Sequence, residues 1–321
     1  MNKKLYIFFI ILFSNVTFGI AKSVNTEGIS SYIQSEISVG SFKIVEKNKA
    51  ATIYIDPEDW AGVLRGVKDL GLDIHKVTGV QPSISYELNN PQKGAIIIGT
   101  IGKSRLIDQL IDEGKINVLD IKGQWESFLI QTVGENLVVA GSDKRGTIFG
   151  IYDISEKIGV SPWYWWADVP VKKNESLYVK AGRYIQSSPK VKYRGIFIND
   201  EEPSFGGWAR EKFGGINSEM YKHVFELILR LKANYLWPAM WGKSFNEDDP
   251  LNPIVADEYG MIMGTYHHKP MMRAHKEYTV RRDDVGPWDY SVNKESLDKF
   301  FFEGINRNKA FENLITIGMR G

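Results

Sequence analysis

The sequence predicts an α/β protein in two parts: a small N-terminal α/β layered domain, then the first half of a (β/α)8 TIM barrel that is cut short. Three observations predict it. Apolar runs of strand length alternate with amphipathic helical patterns along most of the chain. From about residue 40 to 183 these units are short and include an adjacent strand pair, whereas after Arg183 they settle into a strand–helix repeat with longer helices. Residues able to do chemistry follow the apolar run in each of four successive units, where the carboxyl ends of parallel strands would lie and where barrels bind ligands. The expected boundaries are residues 1–21, 22–183 and 184–321.

The first segment reads as a secretory signal peptide. Lys3 and Lys4 precede an apolar run over residues 5–13, and the small residues Gly19 and Ala21 offer cleavage positions. The run is too short to span a bilayer, so a retained membrane anchor is the lesser alternative. The mature protein is therefore expected outside the cytoplasm, secreted or periplasmic. No cysteine is present, which excludes disulfides, thiol-ligated metals and a lipid on cysteine. The hydrophobic fraction of 43% and charged fraction of 25% are ordinary for a globular core, and 321 residues are enough for two domains. A net charge of +1 gives no electrostatic reason to expect nucleic acid or an anionic membrane as partner. Nine tryptophans and fifteen tyrosines are many for this length, and their flat faces suit sugar rings, although most such residues serve a core.

In the N-terminal region, residues 51–55 read as a strand, 58–78 as a helix and 95–99 as a second, buried strand. Residues 104–113 read as a helix, 128–133 and 137–140 as a strand pair around Gly134-Glu135-Asn136, and 144–158 as a helix whose Gly146 and Gly150 allow close packing on a sheet. Gly99-Thr-Ile-Gly-Lys-Ser104 is not a P-loop, because Ile97 stands inside the strand where the first glycine would be needed. At the junction, Ser161-Pro-Trp-Tyr-Trp-Trp-Ala-Asp-Val-Pro170 places Trp163, Trp165 and Trp166 near two prolines. A wedge between packed domains is the favoured reading there, ahead of sugar contact.

In the second region, residues 194–199 form strand one and 218–231 a helix with Val224, Leu227, Ile228 and Leu231 on its apolar face. Residues 233–237 are strand two, 249–259 a helix, 261–266 strand three, 294–308 a helix and 314–318 strand four. Repeated βα units close most naturally into a barrel, which takes about 250 residues, and this region supplies little more than half of that. The sequence stops directly after strand four, so a fragment of a longer enzyme is expected.

The most informative stretch is Tyr193-Arg-Gly-Ile-Phe-Ile-Asn-Asp-Glu-Glu-Pro203, in which a buried-strand pattern ends in Asp200, Glu201 and Glu202 and a proline stops regular structure. Clustered carboxylates at a strand exit suit acid–base chemistry, and equally suit a helix N-terminus complemented by acids. Strand two contributes Trp237, Met240 and Trp241, strand three His267 and His268, and strand four Arg320. Carboxylates for proton transfer, an indole for stacking, and imidazole with guanidinium for an anionic substituent together describe a glycosidase pocket.

These residues resemble glycoside hydrolase family 115. The resemblance rests on the acidic stretch above, on Leu231-Lys-Ala-Asn-Tyr-Leu-Trp-Pro-Ala-Met-Trp241, on Gly264-Thr-Tyr-His-His-Lys-Pro-Met-Met-Arg273 and on Ile317-Gly-Met-Arg-Gly321. It implies a xylan α-1,2-glucuronidase that removes (4-O-methyl-)glucuronic acid side chains from glucuronoxylan or its oligosaccharides, with an inverting mechanism and no metal or organic cofactor. It also implies a small α/β domain ahead of the catalytic barrel and further C-terminal domains beyond this sequence. A homodimer through those domains is one oligomeric arrangement left open. Inversion needs a carboxylic acid and a carboxylate about 6.5–9.5 Å apart. By resemblance the strand-one acids line the pocket, with Asp200 and Glu201 as catalytic participants and Glu202 beside them, while acid and base stay unassigned. In the family an aspartate closely follows the Gly-Met-Arg-Gly motif, and this sequence ends before it, so the chain by itself is expected to be inactive.

The remaining substrate-binding candidates carry alternatives. Arg320 suits the uronate carboxylate through two parallel hydrogen bonds, against a rim salt bridge. If the strand continues, His267 and His268 point opposite ways, one to substrate and one to packing. Trp241 suits sugar contact better than the deeper Trp237. Glu156 can reach the pocket from the first domain or face solvent. A zinc site from these histidines with His275 lacks the HExxH spacing, and Asn246-Glu-Asp-Asp249 reads as a solvated loop before a calcium loop. The competing functions are a non-catalytic carbohydrate-binding protein on the same scaffold and a glycosidase of different sugar specificity.

Overall fold

The computed structural model of the protein describes residues 31–89, 91–238, 242–265 and 270–318. The expected signal peptide therefore lies outside the described residues, as do Trp241, His267, His268 and Arg320. In the N-terminal region the strands are β1 (Ile33–Gln34), β2 (Phe42–Glu46), β3 (Lys49–Ala50), β4 (Ile53–Ile55), β5 (Ile84–Ser85), β6 (Ile96–Thr100), β7 (Phe128–Val133), β8 (Asn136–Gly141), β9 (Leu177–Val179) and β10 (Arg183–Gln186). The helices are α1 (Ala61–Thr78), α2 (Arg105–Asp112) and α3 (Lys144–Lys157). One sheet has the order β10-β7-β8-β6-β4-β5, with β8, β6, β4 and β5 parallel, β7 antiparallel to β8, and β10 antiparallel to β7 at the edge. A smaller antiparallel sheet of order β1-β9-β2-β3 lies in the same region.

The six-stranded sheet is buried on both faces, which is why β4 and β6 read as continuous apolar runs. Alternate residues separate cleanly. Ile53, Ile55, Ile96, Ile98, Ile130 and Val139 join the larger core together with α1 and α3, while Tyr54, Ile97, Leu129 and Val138 join a second core with Leu106 and Ile107 of α2. Helix α3 comes very near the sheet at Gly146, where a Cβ would stand 2.3 Å from the Ser127 carbonyl oxygen. Only glycine fits that approach.

The second region has strands β11 (Gly195–Phe197), β12 (Tyr235–Trp237), β13 (Ile262–Gly264) and β14 (Asn313–Leu314), all parallel and in sequential order. Its helices are α4 (Phe205–Phe213), α5 (Ser218–Arg230), α6 (Phe245–Asp248), α7 (Leu251–Tyr259), α8 (His275–Val280), α9 (Arg282–Val285) and α10 (Lys294–Asn308). Sequential parallel strands joined through helices are the arrangement of the opening units of a (β/α)8 barrel. Asn217 caps α5 by accepting from the Met220 amide at 3.2 Å, and Val224, Leu227 and Ile228 are buried as their spacing requires. Leu231 is exposed just past the helix end. The larger core continues without a break from α1 and α3 into α5, Leu236 of β12 and Met263 of β13. At the two sides of the parallel sheet Ile196, Phe197, Ile315 and Ile317 are exposed.

Candidate active site

Strand β11 extends its ladder by one bond, the Ile198 amide donating to the Trp237 carbonyl at 3.0 Å, before the chain turns at the acidic stretch. Asp200 is buried there, at 8% exposure. One carboxylate oxygen, Oδ2, is 3.4 Å from the amide of Gly242 in the segment that leaves β12, and the Asp200 amide itself donates to Asn199 Oδ1 at 3.1 Å. The other, Oδ1, has no hydrogen-bond partner among the described residues. A buried carboxylate oxygen in that condition is costly in a finished fold and is characteristic of a group kept for a ligand.

The neighbouring acids take different surroundings. Glu201 is exposed and accepts from Asn199 Nδ2 at 2.7 Å. Glu202 forms a two-pronged pair with Arg210 of α4 at 2.6 and 3.1 Å, and that hydrogen-bonded guanidinium lowers its pKa from the usual carboxylate value. Glu156 sits near the C-terminus of α3, 3.9 Å from Lys232 in the turn that enters β12. It therefore stands at the opposite end of that strand from Asp200. The structure thus brings Asp200 to the exit of β12, keeps Glu201 and Glu202 on the solvent side of the same turn, and places Glu156 apart from all three. Trp237 remains in its strand with its ring 5.0 Å from that of Phe197.

A buried ionic network, not foreseen from sequence, ties the exit segments together. Glu277 of α8 accepts from Ser244 Oγ at 3.0 Å, Arg273 Nη1 at 2.7 Å, Arg307 Nη2 at 2.6 Å and the Ala274 amide at 2.9 Å. Burial works to raise its pKa, and Arg307 and Arg273 outweigh it, so the net shift is downward. Glu247 holds Arg281 and Arg307, Asp248 holds Lys276, and Asp249 accepts from the Ser218 amide. The acids of residues 246–249 are therefore anchors in a packed turn and short helix, where a solvated loop was expected. The visible signal was an acidic run followed about 25 to 35 residues later by Arg273, Lys276 and Arg281. Beyond β13, Thr316 donates to the Thr265 carbonyl at 2.5 Å, joining the exits of β13 and β14.

The entry ends of the same strands are held from the N-terminal region by one carboxylate. Glu126, 1% exposed, accepts from Arg145 Nε at 2.7 Å, Arg194 Nη2 at 2.6 Å and Asn234 Nδ2 at 2.5 Å. Arg145 continues to the Gly260 carbonyl at 3.1 Å and to Glu312 at 2.6 and 3.2 Å. Residues leading into all four barrel-type strands are thus joined at one node. Trp165 and Trp166 serve packing, as the wedge reading anticipates: Trp165 stacks on His223 at 3.9 Å and Trp166 lies 5.4 Å from Trp208 of α4. Burial lowers the pKa of that histidine. Among the described residues no group of three His, Asp or Glu side chains is placed to hold a metal, and no helix is long and apolar enough to cross a membrane.

A profile of glycosyl hydrolase family 115 matches residues 186–321, the segment that contains β11 to β14 and their exit turns. A solved family GH115 4-O-methyl-alpha-glucuronidase, with specificity for decorated arabinogalactans, superposes with a TM-score of 0.76 at 35% identity over 84% of this chain. The chain belongs to glycoside hydrolase family 115. It spans 36% of the length of that relative. Two other solved proteins, CpGH84D and the Flavobacterium johnsoniae chitobiase, superpose with TM-scores of 0.47 and 0.43 at 12% and 13% identity; they cover 86% and 73% of this chain and are themselves covered over 41% and 33%. No curated protein matches the sequence. In this family 115 chain both the acidic turn at β11 and the Glu277 network fall inside the segment that the profile covers.

Proposed function

We propose that this chain is the N-terminal part of a secreted or periplasmic family 115 α-glucuronidase that removes (4-O-methyl-)glucuronic acid side chains from glucuronoxylan or its oligosaccharides. The observation that carries the reading is Asp200: a buried carboxylate at the exit of the first barrel-type strand, with one oxygen unpartnered among the described residues and the other facing the next strand's exit segment. Exposed apolar residues at both sides of the four-stranded sheet support further strands in the complete enzyme.

Hydrolysis with inversion proceeds by one carboxylic acid giving its proton to the departing glycosidic oxygen while a carboxylate takes a proton from the water that attacks the anomeric carbon from the other face. Asp200 is assigned to this pair, with Glu201 or a carboxylate from a later strand as its counterpart. Glu202, held by Arg210, belongs to the rim. Trp241 supplies a stacking face, Arg320 a planar partner for the uronate, and one of His267 and His268 a further polar contact. Trp241 directly precedes Gly242, whose amide faces Asp200, which supports its placement by the pocket.

The relative's specificity for decorated arabinogalactans favours a second reading, in which the uronate is the same and the polymer beneath it differs. One experiment tests both. The full-length protein is incubated with glucuronoxylan and, separately, with glucuronate-decorated arabinogalactan, and the released sugar is followed by proton NMR from the first turnover. Release of β-configured glucuronate from xylan is expected. Release only from arabinogalactan moves the substrate to the second reading, while retained α-configuration or no release from either polymer overturns the function.

A further inference from the structure

We propose that the N-terminal region carries a second glycan site, a crevice at the switch point of its six-stranded sheet that binds a uronate-bearing sugar on Trp60 between Lys103 and Lys144. The ligand class rests on the proposed function; the site itself does not. Strands β4 and β6 are parallel neighbours whose outgoing connections part company: β4 leads through α1 to β5 on one side, while β6 leads through α2 toward β7 and β8 on the other. Helices α1 and α2 also pack into different cores, one on each face of the sheet. Such a divergence opens a crevice outside the carboxyl ends of the strands, the usual ligand position in open α/β sheets. Here that crevice has a volume of about 450 Å³ and is lined by the segments that leave β4, β6 and β8, including Trp60, Gly102, Lys103, Asp143 and Lys144. Small-molecule sites are usually of that order, ~300–1,000 Å³.

The chemistry of the lining selects among ligands. Phosphate groups are disfavoured, because the first amide of α2, that of Arg105, already donates to Asp56 Oδ2 at 2.9 Å, and Asp56 also holds the Arg105 side chain at 2.7 and 2.8 Å. What is offered instead is an indole. Trp60 is 45% exposed although it caps the start of α1, and its backbone is anchored: its amide donates to Asp59 Oδ1 at 2.7 Å, and buried Asp59 accepts from the Thr100 amide and hydroxyl, both at 2.8 Å. Two ammonium groups lie over the ring, Lys103 Nζ at 5.2 Å and Lys144 Nζ at 6.0 Å from its centroid. Lys144 also pairs with Glu312 at 3.0 Å, whereas no carboxylate partner of Lys103 is present among the described residues. An exposed indole on an anchored backbone, beside a cation with no described carboxylate partner, matches a pyranose that carries a carboxylate. The crevice borders Glu312 at the entry to β14, the end of that strand away from its exit turn. A polymer held there would be tethered without occupying the active site.

Affinity electrophoresis of the intact protein through gels containing soluble glucuronoxylan, or the same xylan after chemical reduction of its carboxyl groups, tests the proposal. Wild type is expected to be retarded by glucuronoxylan and not by the reduced polymer. Trp60→Ala should weaken retardation about tenfold and Lys103→Gln about threefold, with Asp200→Asn unaffected. Glucuronate release from a short oligosaccharide should be unchanged in Trp60→Ala, and thermal midpoints of all variants should match wild type. Equal retardation of wild type, Trp60→Ala and Lys103→Gln overturns the site, as does no retardation of wild type or retardation that survives carboxyl reduction. If retardation depends on Trp60 while wild type releases no glucuronate, the function reading fails and the crevice stands.

Discussion

Replacing Glu126 with glutamine should cost far more stability than any single surface ion pair. The carboxylate is 1% exposed and accepts three donors at once, from Arg145, Arg194 and Asn234. Glutamine keeps the volume but turns one acceptor into a donor facing guanidinium N–H groups. Arg145 would retain Glu312, but the guanidinium of Arg194 would have only the carbonyls of Val191, Lys192 and Lys232 as described partners. Breaking a buried ion pair by neutralising one partner costs about 3–5 kcal/mol. Because the Arg194 side chain keeps 21% exposure, the low end, about 3 kcal/mol, is expected. Urea unfolding followed by tryptophan fluorescence should show the midpoint falling with the slope unchanged. Adding Arg194→Met to Glu126→Gln should recover part of the loss, since the two changes share one interaction. A loss under about 1 kcal/mol would mean that the node behaves as a surface pair and does not hold the strand entries together.

Two further outcomes concern the same scaffold. Burial works to raise the pKa of Glu312, but Arg145 and Lys144 outweigh it and bring it from 4.5 to about 2, so its stabilising contribution is present above the unfolded value and disappears as pH falls through the folded one. Glu312→Gln should therefore flatten the acid-unfolding curve between about pH 4.5 and pH 2, and superimposable curves for variant and wild type would contradict the pairing. At Gly195 an added Cβ would stand 1.7 Å from the Tyr235 carbonyl oxygen across the β11–β12 pair. Gly195→Ala should lower the thermal midpoint by the equivalent of about 1–3 kcal/mol, and an unchanged midpoint would show that the pairing is looser than described.

Much of the parallel architecture was legible because strands buried on both faces leave uninterrupted apolar runs. β4, β12 and β13 fall inside the ranges expected from sequence, β6 runs one residue past its expected end, and α5, α7 and α10 match within two residues. The small antiparallel sheet was not legible: β2 and β9 are short, and their partners β1 and β3 are two-residue pieces defined by pairing, which no local pattern encodes. β10 was missed for a related reason. Its four residues are partly exposed and become a strand only by pairing with β7, which carries the six-stranded sheet to Gln186. Helix α4 hid behind Gly206 and Gly207, poor helix formers that are retained where the chain turns back past the acidic stretch. Strand four was read too late, at 314–318, because Ile315 and Ile317 are apolar, yet both are exposed and the pairing stops at Leu314.

At the site, the apolar-then-acidic run did mark Asp200, but sequence alone could not separate it from Glu201, since the distinction is the Gly242 amide approaching from another strand. Glu156 was legible only as a helix residue; its ion pair with Lys232 fixes it at the far end of β12. Trp60 carried a signal that went unread, an exposed aromatic directly after an acidic turn at a strand exit.

The most direct test is the turnover number for glucuronate release from a glucuronoxylan oligosaccharide by the full-length Asp200→Asn protein, with its thermal midpoint measured alongside. A fall of about 10²–10⁴-fold at an unchanged midpoint is predicted, the range that a lost general acid or base produces. Turnover within about twofold of wild type would contradict a catalytic place for the β11 exit.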